Sequence, residues 1–396
     1  MSASRRTFIK SGAALPALAM QRQPTPAPGA RHSSFDPWVE VHAGHLRANA
    51  TAVHTRTRVP VLAVIKNNGY GAGVVHVAQA LASLDFVRGF AVIKLHEAVA
   101  LREAGIRKPV LLMGPVADTE LPEVVKRDVT LMVYTPIGPA LQKVSEKAGR
   151  TVAVHVCVDT GLGRVGVPYT RASELIRTLA STRGVRIDGT MMTFTEDEAF
   201  DREQLRRFHT LTGELEAARI PCGRKHAAST YTLFQLPEAF LDMVRPGMAL
   251  YGIYPEAPFR GAGAMELTPA LALKARVAYV KQLQPGDSAG YNRAYKTDRP
   301  MWIATLPVGH ADGLPRDAAK GGRVRIGDSL YPIIASVSAS HTIVEIGPDR
   351  RVEIGDEATL FDWTDGSRPE DLAAACGASV YDLTMHLNPT LPRRVV

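Results

Sequence analysis

The 396 residues are enough for two domains. The formal net charge of +8 is not the mark of a nucleic-acid partner: Arg5, Arg6, Lys10, Arg22 and Arg31 fall in the first 34 residues with no acidic residue, so the remainder carries +3 and no basic face. Three cysteines (Cys157, Cys222 and Cys376) are odd in number, far apart and without metal-ligand spacing, which excludes a disulfide framework and a metal centre, and no later segment reaches the length of a membrane-spanning helix.

In chain order, residues 1–34 read as an export signal and linker. Arg5 and Arg6 precede Phe8, Lys10 and a short, weakly apolar stretch, with Ala17-Leu18-Ala19 as a small-residue cleavage site. This resembles a twin-arginine export signal and implies a periplasmic mature chain with no membrane anchor. "QRQPTPAPGARHSS" then reads as a Pro/Ala linker.

Residues 35–262 alternate strands and helices. Short apolar runs at 61–65, 86–93, 110–113, 130–133, 152–158, 186–194, 223–227 and 243–251 are the expected strands, with amphipathic helical stretches between them. Eight such units predict an α/β architecture closed as a (β/α)8 TIM-type barrel; an open doubly wound sheet is the alternative. Residues 263–396 change pattern. Apolar and polar residues alternate through "RVRIGDSLYPIIASVSASHTIVEIG", as expected of an all-β domain, and "PEDLAAACGASVYDLTMHL" is a closing helical stretch.

The first predicted strand ends on Lys66, followed by Asn67, Asn68 and glycines at 69, 71 and 73, before a helix starting near Val74. Three readings are open for that lysine. It is a surface residue beside a strand-to-helix turn; it belongs to a dinucleotide fingerprint, although the G-x-G-x-G spacing and the absence of a following acidic residue argue against this; or it forms a Schiff base with a cofactor aldehyde whose phosphate is held nearby. In a barrel, chemistry sits at the C-terminal ends of strands, so matching groups are sought there. Arg164 lies in "CVDTGLGRVGV" after the fifth strand, and Ser229 and Thr230 open a helix after the seventh. Arg245 and Gly247 belong to the eighth, and Tyr291 sits in a turn of the β domain.

From about Trp38 to Arg394 these motifs resemble the alanine racemase family, enzymes of fold type III that use pyridoxal 5′-phosphate. The lysine with G-Y-G, D-T-G-x-x-R-x-G, V-R-P-G-x-x-L-Y-G, L-P-x-G-x-A-D-G and G-D-E-x-T-L-F occur in the family's order. The resemblance implies that Lys66 bonds the cofactor and is one of two proton-transfer bases. Tyr291 would be the other base, acting on the opposite face from the partner subunit of a homodimer with a shared active site. It also implies that Tyr70, Thr230, Gly247 and Met248 hold the phosphate, beside which the Ser229 hydroxyl at the helix start suits the same group, that Arg245 faces the pyridine nitrogen, and that Arg164 lies by the phenolic oxygen and the substrate carboxylate. Blander roles stand beside these: Tyr291 as a turn tyrosine, Arg164 as a cap or partner of Asp159, the Met248 side chain as core, and Asp312 as structural.

The chain departs from the family pattern around the substrate. Thr193 stands for a histidine, Ser229 for an asparagine, His310 for a gating tyrosine, and Ala339 and Ser340 for a methionine and an aspartate. The family's phosphate-binding tyrosine near the C-terminus aligns with Pro389. Shorter side chains at these positions, Ala339 at the substrate above all, predict a roomier pocket than alanine needs. The expected function is an exported amino-acid racemase with a substrate broader or larger than alanine. The alternatives are another reaction of the same cofactor, such as aldol cleavage or epimerisation, and a cofactor- or amino-acid-binding protein without turnover.

Overall fold

The computed structural model describes residues 34–396, so the proposed export signal lies outside the described residues. Strand β1 (Trp38–Val41) leads into a helix over Ala43–Thr57. That helix begins where His42 Nδ1 accepts from the His45 N–H at 3.1 Å, and it stops at Arg58, which turns left-handed at φ 59°. Parallel strands follow: β2 (Val61–Val64), β3 (Val87–Val92), β4 (Val110–Leu112), β5 (Thr130–Val133), β6 (Val152–Asp159), a short β7 (Val167–Pro168) against its end, β8 (Val185–Met191) and β9 (Arg224–His226).

Apart from β7, these strands pair in chain order from β2 to β9, with helices between them. All four residues of β2 are buried, because a strand inside a ring of helices has no wet face. Each Val, Leu or Phe removed from water in this way contributes about 1.5–3 kcal/mol. The ring closes through residues 244–246. Leu62 N–H donates to Val244 O and Val64 N–H to Pro246 O, both at 2.9 Å, and Arg245 N–H donates to Ala228 O at 2.9 Å. The architecture is therefore the expected barrel and not an open sheet. The last strand is shorter than predicted: Pro246 has no N–H to continue a ladder, and Met248–Tyr251 wind into a 3-10 turn.

The second layer is a sheet of β10 (Leu271–Arg276), β11 (Tyr279–Leu283), β14 (Met301–Leu306), β15 (Arg323–Ile326), β16 (Ser329–Ile334), β17 (Thr342–Gly347), β18 (Glu357–Phe361) and β19 (Arg393–Val395), with β12 (Ser288–Ala289) and β13 (Tyr295–Lys296) as a separate hairpin. Pairing is antiparallel except where β1 meets β19. Thus Trp38–Val41, grouped with the barrel in the sequence, joins the C-terminal sheet between β10 and β19. Trp38 is buried there, with the Arg394 guanidinium 4.0 Å from its ring centre. The closing helical stretch is two helices, Pro369–Cys376 and Val380–Met385, the second started by Ser379 Oγ accepting from the Asp382 N–H. No described helix is long and apolar enough to cross a membrane.

Candidate active site

A cavity of about 410 Å³ opens at the C-terminal ends of the barrel strands. Its wall gathers Lys66, Tyr70, Arg164, Ser229, Thr230, Arg245, Gly247 and Met248, together with Thr193. Eight residues picked from four separate segments of the sequence thus face one space, with Thr193 from a fifth.

Lys66 stands where β2 ends. The next residues leave the strand in an unusual way: Asn67, Asn68, Gly69 and Tyr70 all have φ between 53° and 62°. Left-handed backbone is least costly for asparagine and glycine, which is what the sequence supplies at three of the four positions. Glu97 holds this turn. Its buried carboxylate accepts from Asn68 N–H at 2.7 Å and from Ile93 and Lys94 N–H at 3.2 and 3.1 Å. From the other side, Arg393 donates to Gly71 O at 3.1 and 3.0 Å. Burial lowers the Lys66 pKa, the Arg164 guanidinium lowers it further, and Glu97 opposes them. The result is an amine with more of its neutral, nucleophilic form at neutral pH than an ordinary lysine has.

The phosphate-sized end of the cavity is built from hydroxyls and a close glycine. A Cβ on Gly247 would come within 2.2 Å of Tyr70 Oη, so only glycine lets that hydroxyl approach the loop. Thr230 Oγ1 accepts from Gly247 and Ala249 N–H, both at 3.2 Å, which leaves its own O–H to donate. Ser229 holds the N-cap position of the helix Thr230–Gln235. Tyr70 stacks on Tyr251 at 4.7 Å and meets the edge of Tyr381 at 5.6 Å.

Arg245 is buried, and its guanidinium is held by neutral acceptors. Nη1 donates to His226 O at 2.7 Å and to His226 Nδ1 at 3.0 Å, and Nη2 donates to Met192 O at 2.6 Å and Ala227 O at 3.0 Å. Burial pushes its pKa down to about 10, which keeps it charged at neutral pH. Arg164 is free of Asp159, whose carboxylate instead accepts from Gly161 and Gly163 N–H at 2.9 and 3.1 Å; no ion pair joins the two among the described residues. The cysteines are free and buried, and the Cys157 thiol lining the cavity is pushed up to about 11 by burial.

Two predicted site residues lie elsewhere. Tyr291 sits at the tip of the β12–β13 hairpin, 76% exposed, in a shallow depression with Ser338 and His341. Ala339 is exposed in the neighbouring turn, where its carbonyl accepts from Ala311 N–H at 3.0 Å. Within one chain neither reaches Lys66's cavity. His310 is half-buried and meets Arg316 at 2.9 Å, while Asp312 accepts from Gly309 N–H, the structural role expected of it. Pro389, which stands at the position of the family's phosphate-site tyrosine, is an exposed turn residue that does not line the cavity, whereas Tyr381 does. Its signal was the tyrosine of "VYDLTMHL", eight residues earlier. Glu97, His226 and His155 also escaped the sequence reading.

Comparison with known proteins agrees with this geometry. The family model "Alanine racemase, N-terminal domain" matches residues 41–255, and "Alanine racemase, C-terminal domain" matches 270–395. The chain belongs to the alanine racemase family. Alanine racemase of Symbiobacterium thermophilum is 35% identical over 366 residues, covering 90% of this chain and 96% of its own. The solved alanine racemase of Clostridium difficile superposes with a TM-score of 0.86 at 26% identity, covering 92% of this chain and 96% of that one. The histidine racemase of Leuconostoc mesenteroides subsp. sake superposes with a TM-score of 0.83 at 26% identity, covering 92% and 99%. Alanine racemase family members use pyridoxal 5′-phosphate, and the donor set here fits that group: an amine of lowered pKa, a hydroxyl cradle that a Cβ at Gly247 would fill, and a buried guanidinium.

Proposed function

We propose that the protein is an exported, pyridoxal-phosphate-dependent amino-acid racemase, a homodimer whose two sites are each completed by the partner subunit, with a substrate broader or larger than alanine. The observation that carries this reading is the convergence on one barrel-end cavity of Lys66, the Tyr70–Ser229–Thr230 hydroxyls and two arginines. When bound, the cofactor supplies an electron-withdrawing ring that makes the substrate's Cα–H acidic. Lys66 binds the cofactor and moves a proton at one face of that carbon. The partner subunit's Tyr291 moves one at the other face, and racemisation requires both. Arg164 takes the substrate carboxylate. Arg245, charged at neutral pH, disfavours a proton on the ring nitrogen and so limits electron withdrawal to what proton exchange needs.

The wider substrate range rests on the shortened side chains, Thr193 in the cavity wall and Ala339 and Ser340 in the exposed turn. The scaffold itself is not tied to alanine, since one similar structure is named a histidine racemase. Incubating the pure protein with a panel of L-amino acids in D2O should give deuterium at Cα with loss of optical purity, and at least one residue larger than alanine should turn over faster than alanine. Exchange confined to alanine would end the broader-substrate reading, and no exchange with any member would end the racemase reading.

Export is proposed from Arg5 and Arg6 and the apolar stretch after them. A twin-arginine route carries folded proteins, which suits a barrel that must close around a cofactor made in the cytoplasm. Arg5→Lys with Arg6→Lys should abolish periplasmic accumulation; an unchanged periplasmic amount would show that the pair is not a signal.

A further inference from the structure

The polar contacts of Arg245 do not stop at the cavity wall. His226 Nε2 lies 2.8 Å from His155 Nδ1, so guanidinium and two imidazoles form one chain across the barrel interior. All three are buried, His226 completely and His155 to 8% exposure. At its far end, His155 borders a second cavity of about 640 Å³, lined also by Asp188, Arg224 and Arg88. This cavity sits at the N-terminal mouth of the barrel, against the first residues of the strands and away from the site.

The direction of the chain follows from donor chemistry. A guanidinium has only donors, so His226 Nδ1 must present its lone pair to Arg245 Nη1. His226 is then neutral with its hydrogen on Nε2, since a cationic ring would aim a second hydrogen at the guanidinium. That hydrogen points at His155 Nδ1, which must accept, so His155 is neutral with its own hydrogen on Nε2. The charged groups acting on His155 are Asp188, Arg245 and Arg224, and on His226 Arg245, with burial dominating both. The space for the His155 ring is made by Gly189, where a Cβ would lie 2.7 Å from His155 Nδ1.

We propose that His155, acting through His226, is a positioning residue for Arg245: a directed chain of two neutral imidazoles, both protonated at Nε2, runs from the guanidinium to the N-terminal mouth of the barrel and holds the guanidinium in place with its charge intact. A carboxylate in the position of His226 would hold the arginine as well but would cancel its charge, and an isolated imidazole would be a poorer acceptor. By donating to His155, His226 becomes a stronger acceptor for Arg245, because hydrogen bonds in a chain polarise one another. The functional consequence rests on Arg245 facing the cofactor as proposed above; the proton positions do not.

Two measurements test this. In the holoenzyme labelled with ¹⁵N-histidine, the signals of His226 and His155, assigned with His226→Gln and His155→Asn, should show at pH 7 a bare Nδ1 and a protonated Nε2 in both rings. A protonated Nδ1 on either ring overturns the chain. The second measurement compares His155→Leu with His155→Asn, whose side-chain oxygen can accept where Nδ1 did. The leucine variant should lose about tenfold in kcat with KM little changed, as when a partner that orients a charged ligand is removed, and its cofactor absorption should shift. The asparagine variant should return both most of the way. A leucine variant with wild-type kcat and spectrum would remove the positioning role. Absence of racemase activity in the unaltered protein would count against the proposed function and leave the ¹⁵N result to stand or fall alone.

Discussion

Lys66→Ala should remove racemisation by ~10⁴-fold or more, because in the proposed mechanism one substitution deletes both the group that bonds the cofactor and one of two proton-transfer bases. The protein should still fold, since Lys66 is only half-buried and its turn is held by Glu97 and Arg393 through backbone groups that alanine keeps. Three readings should change together. The yellow colour of the holoenzyme should be lost, borohydride should no longer fix cofactor to the chain, and peptide mapping of the reduced wild type should find the cofactor on the peptide containing Lys66. Label on a different lysine would overturn the site. The pH dependence has a definite sign. The neutral amine is the reactive form, so loading of cofactor-free protein should accelerate with rising pH, with a midpoint below that of an ordinary lysine because burial and Arg164 depress Lys66. Arg164→Gln removes one of those two causes and should move the midpoint upward. An unmoved midpoint would mean that the two side chains are too far apart in solution to interact.

The groups at the cavity differ in how far the sequence announces them, and the difference is physical. Lys66, Arg164 and Arg245 stand after or at strand ends in segments marked by glycine or proline, and Ser229 and Thr230 open the helix after a strand, so local pattern and barrel geometry together say which way the chain faces. Glu97 carries no such sign. It lies in the first turn of a helix, where an acidic residue is ordinary, and its role appears only when the amide of Asn68, 29 residues earlier in sequence, is found against it. His155 and His226 look like ordinary strand residues, because a run of three to eight residues does not tell which of its alternate positions meets a charged group across the barrel axis. Strand β1 was misgrouped for a related reason: its partners Leu271–Lys274 and Arg393–Val395 lie more than 200 residues away, and nothing in "WVEV" names them. Tyr381 went unnoticed because a short helix near the C-terminus gives no sign that it packs against the barrel's cavity.

Tyr291→Phe is the sharper test of how the site is assembled. Within one chain Tyr291 is exposed at a hairpin tip and Lys66 faces the barrel cavity, so two-base racemisation requires the hairpin of a second copy to reach that cavity. Phenylalanine keeps the ring and removes only the proton carrier. Turnover should fall ~10²–10⁴-fold, the usual cost of deleting a general base, while the visible spectrum, which depends on Lys66, stays as in the wild type. Cα exchange in D2O should then become unequal between enantiomers, because Lys66 still serves its own face and nothing serves the other. Mixing tests the sharing directly. Lys66→Ala and Tyr291→Phe chains, unfolded and refolded together, should form mixed dimers in which one site has both bases and the other has neither. With random pairing in a two-fold dimer, about one quarter of wild-type activity should return from two nearly inactive proteins. No recovery from a mixture shown to contain mixed dimers would place both bases on one chain, and full activity in a demonstrated monomer would do the same.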